Sequence, residues 1–137
     1  MIIFNILEPL KVSLNQSVKD WIVQAILLES FKIDTINYIF CNDDYLLEKN
    51  IKYLNHNTLT DVISFDYTLG KLISGDIFIS VERVKENAKK FQTSFVDELH
   101  RVMIHGVLHY CGYNDKTQEE KKQMRSKEDY YLSLRDF

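Results

Sequence analysis

The chain has 137 residues, 45% of them apolar and 12% aromatic, with 17 basic and 20 acidic side chains and a formal net charge of -3. That length and core fraction predict one soluble globular domain over residues 1–137. Four glycines and one proline exclude collagen-like, low-complexity and disordered classes, and no apolar run approaches the 18 residues of a membrane span.

Residues 2–6 form a short β-rich run, followed by the single proline, Pro9. Residues 15–31 carry Val18, Trp21, Ile22, Ala25, Ile26 and Leu28 at helical spacing. Residues 35–41 read as a strand in which Ile36, Tyr38 and Phe40 alternate against Asn37 and Ile39. A helix over 43–53 is expected next, capped by Asn42 or Asp43, then a polar loop at 55–60. Residues 61–67 and 76–81 read as strands. Gly70 and Gly75 bracket their connection, which predicts an antiparallel pair.

Residues 82–91 form a basic amphipathic helix. Ser94 and Asp97 are spaced as a capping box opening a helix to about Tyr110, with Gly112 as its C-terminal stop. Thr117 and Glu120 repeat the pattern and open a last, highly charged helix. The order β-α-β-α-β-β-α-α-α, with one crossover and one hairpin, predicts an α+β fold. A small mixed four-stranded sheet packs against about five helices.

Cys41 and Cys111 are far apart in sequence, which fits a reducing compartment rather than a disulfide framework. The N-terminus shows no basic segment and no small-residue cleavage site, so no signal peptide is expected. A cytoplasmic monomer is the expectation. The small net charge argues against bulk nucleic-acid binding and leaves a local basic groove open.

The chemistry is concentrated in HGVLHYCGYND, residues 105–115. His105 and His109, at i and i+4, share one helical face. Gly112 breaks the helix and lets Asp115 return toward them. Three protein ligands with an open position are the mark of a catalytic rather than a structural zinc site. Bound Zn²⁺ brings the pKa of its water to roughly 7 and polarises a carbonyl or phosphoryl oxygen. Four histidines give about 0.1 chance HxxxH pairs. Requiring the glycine and a third ligand at these places lowers that to roughly 10⁻³. The bland alternative is two histidines and a turn aspartate without a metal.

The same frame occurs in the metzincin proteases, HExxHxxGxxH. There a glutamate follows the first histidine as general base; here Gly106 stands in its place. This counts against a peptidase.

The stretch resembles the signature HGxLHLxGYDH of the YbeY family of rRNA-maturation endoribonucleases, matched by His105, Gly106, Leu108, His109, Gly112 and Tyr113. TDVISF at 60–65 and GDIFIS at 75–80 resemble two further family blocks, in the family's order. Glu98, Leu99, Met124 and Glu128 also fall where the family pattern has them. The resemblance implies a metal-dependent, single-strand-specific endoribonuclease. Its implied work is maturation of the small-subunit rRNA end and ribosome quality control, with rRNA and the small ribosomal subunit as partners. It implies three histidine ligands, of which His105 and His109 carry over, for one Zn²⁺ or another divalent transition metal.

Three departures stand out. Asp115 replaces the third histidine, preceded by Asn114. The family's Tyr-Arg pair is Tyr53-Leu54, so an arginine suspected of holding phosphate is absent there. The usual proline after the SF pair is Asp66.

Other residues carry paired readings. Glu98, seven before His105, either accepts the second N–H of a ligand imidazole or is a solvated carboxylate near the helix start. Arg101 either holds a scissile phosphate or forms a surface ion pair. Lys52 and His56 flank Leu54 as further phosphate contacts. Arg83, Lys85, Lys89 and Lys90 form either an RNA track or a solvated face. Asp61 and Ser64 are candidates to line the cleft, with Asp61 equally readable as a residue that only terminates the loop. His100 and Cys111 point away from the ligands by helical angle.

Two other functions compete with the endoribonuclease. One is a ribosome-associated RNA-binding factor whose metal is structural. The other is a different metallohydrolase.

Overall fold

The structure is a computed structural model that describes residues 1–56 and 59–137. Positions 57 and 58, part of the polar loop expected at 55–60, lie outside the described residues. The elements follow the expected order: β1 (Ile2–Ile6), α1 (Gln16–Leu28), β2 (Lys32–Cys41), α2 (Asp43–Leu54), β3 (Val62–Asp66), β4 (Leu72–Ser80), α3 (Val81–Lys90), α4 (Phe95–Tyr110) and α5 (Gln118–Ser133). The sheet order is β1-β2-β4-β3, with β1, β2 and β4 parallel and β3 antiparallel to β4. This is the expected mixed sheet with five helices. It holds two parallel pairs, so it needs two crossovers where one was expected.

Local chemistry sets the helix starts. Asn15, Asn42, Ser80, Ser94 and Thr117 each accept a backbone N–H of the first turn. The reciprocal capping box is complete at Thr117–Glu120. Gly75 is not in the turn: it lies inside β4, paired with Ile36 and Asp66. The Tyr110 hydroxyl, 3.0 Å from the carbonyls of Phe65 and Asp76, crosses the strand there and leaves no room for a side chain.

Period-2 alternation divides the faces. Ile36, Tyr38 and Phe40 point into the main core with Ile77 and Ile79, under α1 and α4. Cys41, Ile63, Phe65 and Phe78 face the other way and meet Leu46 of α2. No helix among the described residues is long and apolar enough to cross a membrane.

α4 lies directly on the sheet. The Tyr38 hydroxyl donates to the Met103 carbonyl at 2.9 Å, and a Cβ on Gly106 would stand 2.8 Å from Ile77 Cδ1. Position 106 therefore faces β4, which is why glycine fits and a glutamate base does not. Gly106→Ala gains up to about 1 kcal/mol of helix propensity and loses about 1–3 kcal/mol by overpacking. A net loss of about 1 kcal/mol is expected in urea unfolding, and an unchanged midpoint would show that the helix can lift off Ile77 freely.

His100 is structural, as expected. It is buried between Trp21 and Phe137, and its Nδ1 accepts from Arg135 Nη1 at 2.8 Å. Burial first, and the Arg135 charge second, push its pKa down from 6.5 to about 4. Unfolded His100 thus takes up a proton that the folded form refuses, so stability falls as pH drops from about 6.5 toward 4, by up to roughly 3 kcal/mol. His100→Gln keeps an acceptor for Arg135 and should flatten this limb. Parallel stability-versus-pH curves for the two proteins would refute the assignment.

Candidate metal centre

The ligand geometry begins with a helix and its stop. α4 ends in a Schellman turn: Tyr113 N–H donates to the Leu108 carbonyl at 3.1 Å and Gly112 N–H to the His109 carbonyl at 3.0 Å. Gly112 sits at φ +97°, a conformation costly for any side chain. The reversal brings Asp115 back over the last turn. His105 Nε2 and His109 Nε2 are 3.0 Å apart. Asp115 Oδ2 is 3.2 Å from the first and 3.4 Å from the second.

The opposite ring nitrogens fix the tautomers. His109 Nδ1 meets the Tyr113 carbonyl at 2.9 Å, and a carbonyl only accepts, so Nδ1 carries the proton. His105 Nδ1 meets Glu128 Oε2 at 2.6 Å and donates to it. In the neutral rings both Nε2 atoms then present lone pairs to each other and to a carboxylate. Three acceptors converge with no donor among them. Tetrahedral ligands at zinc distances of roughly 2.0–2.1 Å would stand about 3.3 Å apart, close to the spacing found. The donor set fits a divalent transition metal.

Glu98 fits neither of its two readings: it is buried rather than solvated, and it does not hold the ring of His105. A residue seven positions earlier lies about 10 Å down the helix axis, beyond reach of the His105 ring. The imidazole's partner comes instead from α5. Glu128 is only 5% exposed and also binds Arg101 Nη1 at 2.9 Å, with Arg125 at 3.7 Å. Burial disfavours the imidazolium of His105. The Glu128 hydrogen bond and charge, with Asp115 and Asp61, outweigh this and raise its pKa.

A cavity of about 290 Å³ opens beside the cluster, lined by His105 and Asp115 and by Asp61, Glu98, Arg101 and Arg125. Arg101 is on its wall, with Nη2 also held by Asp129 at 2.8 Å. Of its two readings Asp61 takes the first and lines the cleft, and burial is the largest influence on its pKa, raising it. Ser64 does not line this cavity, nor do Lys52 and His56. Arg83 is ion-paired with Asp43 at 2.9 Å. Lys85, Lys89 and Lys90 are exposed, and Phe91, just after them, lines the cavity.

Nothing in the local sequence pattern singles out Arg125 or gives Glu128 a role. The available signal was the i, i+4, i+7 spacing of Met124, Glu128 and Tyr131, which marks one buried face of an otherwise charged helix. A buried acid on that face needs a partner.

The profile of the family described as Endoribonuclease YbeY matches residues 6–135. The curated Endoribonuclease YbeY of Flavobacterium psychrophilum is 57% identical over 134 residues, covering 98% of this chain and 96% of that protein. The one from Bacteroides fragilis is 46% identical over 116 residues, covering 85% and 84%. A solution structure of a Thermotoga maritima protein superposes with a TM-score of 0.71 at 28% identity, covering 97% of this chain and 87% of that one. With a family match over almost its whole length and relatives at about half identity, the chain belongs to the YbeY endoribonuclease family.

Proposed function

We propose that this protein is a metal-dependent endoribonuclease. It hydrolyses phosphodiester bonds of single-stranded RNA in the cytoplasm, and its substrate is ribosomal RNA at the small-subunit end. The observation that carries the reading is the convergence of His105 Nε2, His109 Nε2 and Asp115 Oδ2 beside a cavity walled by Arg101 and Arg125, in a member of an endoribonuclease family.

Those three atoms would hold one ion. Zinc fits the nitrogen-rich set, and the hard carboxylate of Asp115 extends tolerance to Mn²⁺, Co²⁺ or Ni²⁺. When bound, the ion supplies positive charge for a phosphoryl oxygen. The rest is done by this chain's own side chains. Glu128 fixes the ring of His105, and the Tyr113 carbonyl fixes that of His109. Arg101 and Arg125 offer guanidinium N–H groups to phosphate oxygens. Phe91, 55% exposed at the cavity, offers a ring face to a base.

A closed structural site would want a fourth protein ligand. The only such cluster among the described residues has three, and Cys111 is not in it. This favours the enzyme over a binding factor.

The test uses protein purified without an affinity tag, analysed for metal and assayed on a defined single strand and its duplex. Cleavage of the single strand is expected, abolished by chelation and restored by a divalent transition metal. RNA affinity should fall with salt by about 0.7 log units per log unit of salt for each phosphate contacted. Unimpaired cleavage by metal-free protein would defeat the reading.

A further inference from the structure

The least explained group beside the metal centre is the carboxyl of Glu98. The residue is 6% exposed and lines the same cavity as His105 and Asp115. Among the described residues no hydrogen bond or ion pair reaches its side chain, although Arg101 and Arg125 lie on the same wall and engage Glu128 instead. Its carboxyl oxygens are not sealed in the core, since Arg83 Nε is the fully buried, unpartnered side-chain polar atom found among the described residues; they open onto the cavity, free of protein hydrogen bonds and available to a bound group.

We propose that Glu98 is the general acid of the RNA-cleaving reaction, donating its proton to the ribose oxygen that leaves phosphorus. This rests on the endoribonuclease reading above. A water oxygen forms the new bond to phosphorus as the bond from phosphorus to the ribose oxygen breaks. The electron pair of that bond stays on the ribose oxygen, which takes the Glu98 proton. The proton released by the water restores the carboxyl.

The surroundings suit an acid. Burial, and next the charge of Asp61 across the cavity, raise the pKa of Glu98; Arg101 and Arg125 oppose this, and Glu128 adds to it. Asp61 holds a hydrogen bond from Asn87 Nδ2, which leaves Glu98 as the unanchored member of the pair.

The experiment compares wild type with Glu98→Gln on a single-stranded RNA whose cleaved linkage has first been mapped. Two further RNAs carry sulfur in place of the 3′ or the 5′ bridging oxygen at that linkage. A thiolate leaves without a proton. Glu98→Gln should therefore cleave the oxygen substrate roughly 10²–10⁴-fold slower than wild type, while on one of the two sulfur substrates the deficit shrinks to about tenfold or less. The descending limb of the pH–rate profile, where activity falls as the carboxyl loses its proton at higher pH, should change with the substitution, and metal content should not. An equal deficit on all three RNAs overturns the role, as does no deficit. If wild type cleaves none of them, the endoribonuclease reading falls and this role with it. If wild type cleaves and the variant keeps pace, only the role falls.

Discussion

His109→Ala is expected to purify without its metal and to lose RNA cleavage by at least about a hundredfold. That exceeds the roughly 10–100-fold cost of losing an outer partner of a ligand, because the substitution removes one of the three donors that converge among the described residues. The fold should survive. The His109 side chain is 30% exposed and belongs to no core cluster, so its truncation leaves no sealed cavity. Metal analysis, an RNA cleavage assay and a thermal melt on the same preparation separate these effects. Full metal occupancy in the variant would remove His109 from the ligand set. Asp115→Ala tests the third position in the same way, and Asp115→His should keep the metal while moving the pH–rate profile down. A neutral ligand leaves the ion a stronger Lewis acid than a carboxylate does.

Glu128→Gln should cost metal affinity about 10–100-fold without touching a ligand. The carboxylate receives His105 Nδ1 on one oxygen and Arg101 Nη1 on the other. A glutamine can accept from one of them but must turn its NH₂ toward the other, where two donors then face each other. His105 loses its fixed tautomer, and about 2 kcal/mol of stability goes with the buried network, Arg101 retaining Asp129. The metal-free proteins add a signature. Burial lowers the pKa of His105, but Glu128 raises it more, so in wild type the imidazolium is favoured by folding. That stabilisation is complete below the unfolded value of about 6.5 and disappears as pH rises through the higher folded value. Glu128→Gln should lower the His105 pKa in an NMR titration and flatten this part of the stability profile. An unmoved titration would show that Glu128 does not govern the ring.

Most of the ligand geometry was legible because it is local. Two histidines one turn apart and an aspartate after a glycine stop lie within eleven residues. Helical period and a Schellman turn bring their atoms together. Gly106 was legible as a missing base, but its purpose was not, since only the packing of α4 on Ile77 shows why a glycine is needed. Helical angle leaves Glu98 as either the outer partner of His105 or a solvated carboxylate, and neither holds: the angle is right but the distance along the axis is not, and the residue is 6% exposed. Glu128 was one acid among many on a charged helix until the buried face of α5 met α4.

The sequence by itself determined the order and kind of the elements, the caps of α2, α4 and α5 and the three converging donors, because periodicity, capping and turn chemistry act over a few residues. Only the tertiary structure decided the strand order β1-β2-β4-β3, the interior place of Gly75 and the cavity that Asp61, Glu98 and Glu128 line together with His105. Those depend on which apolar faces bury one another across tens of residues, and it is that burial that brings distant carboxyl groups out of water and beside the ligands.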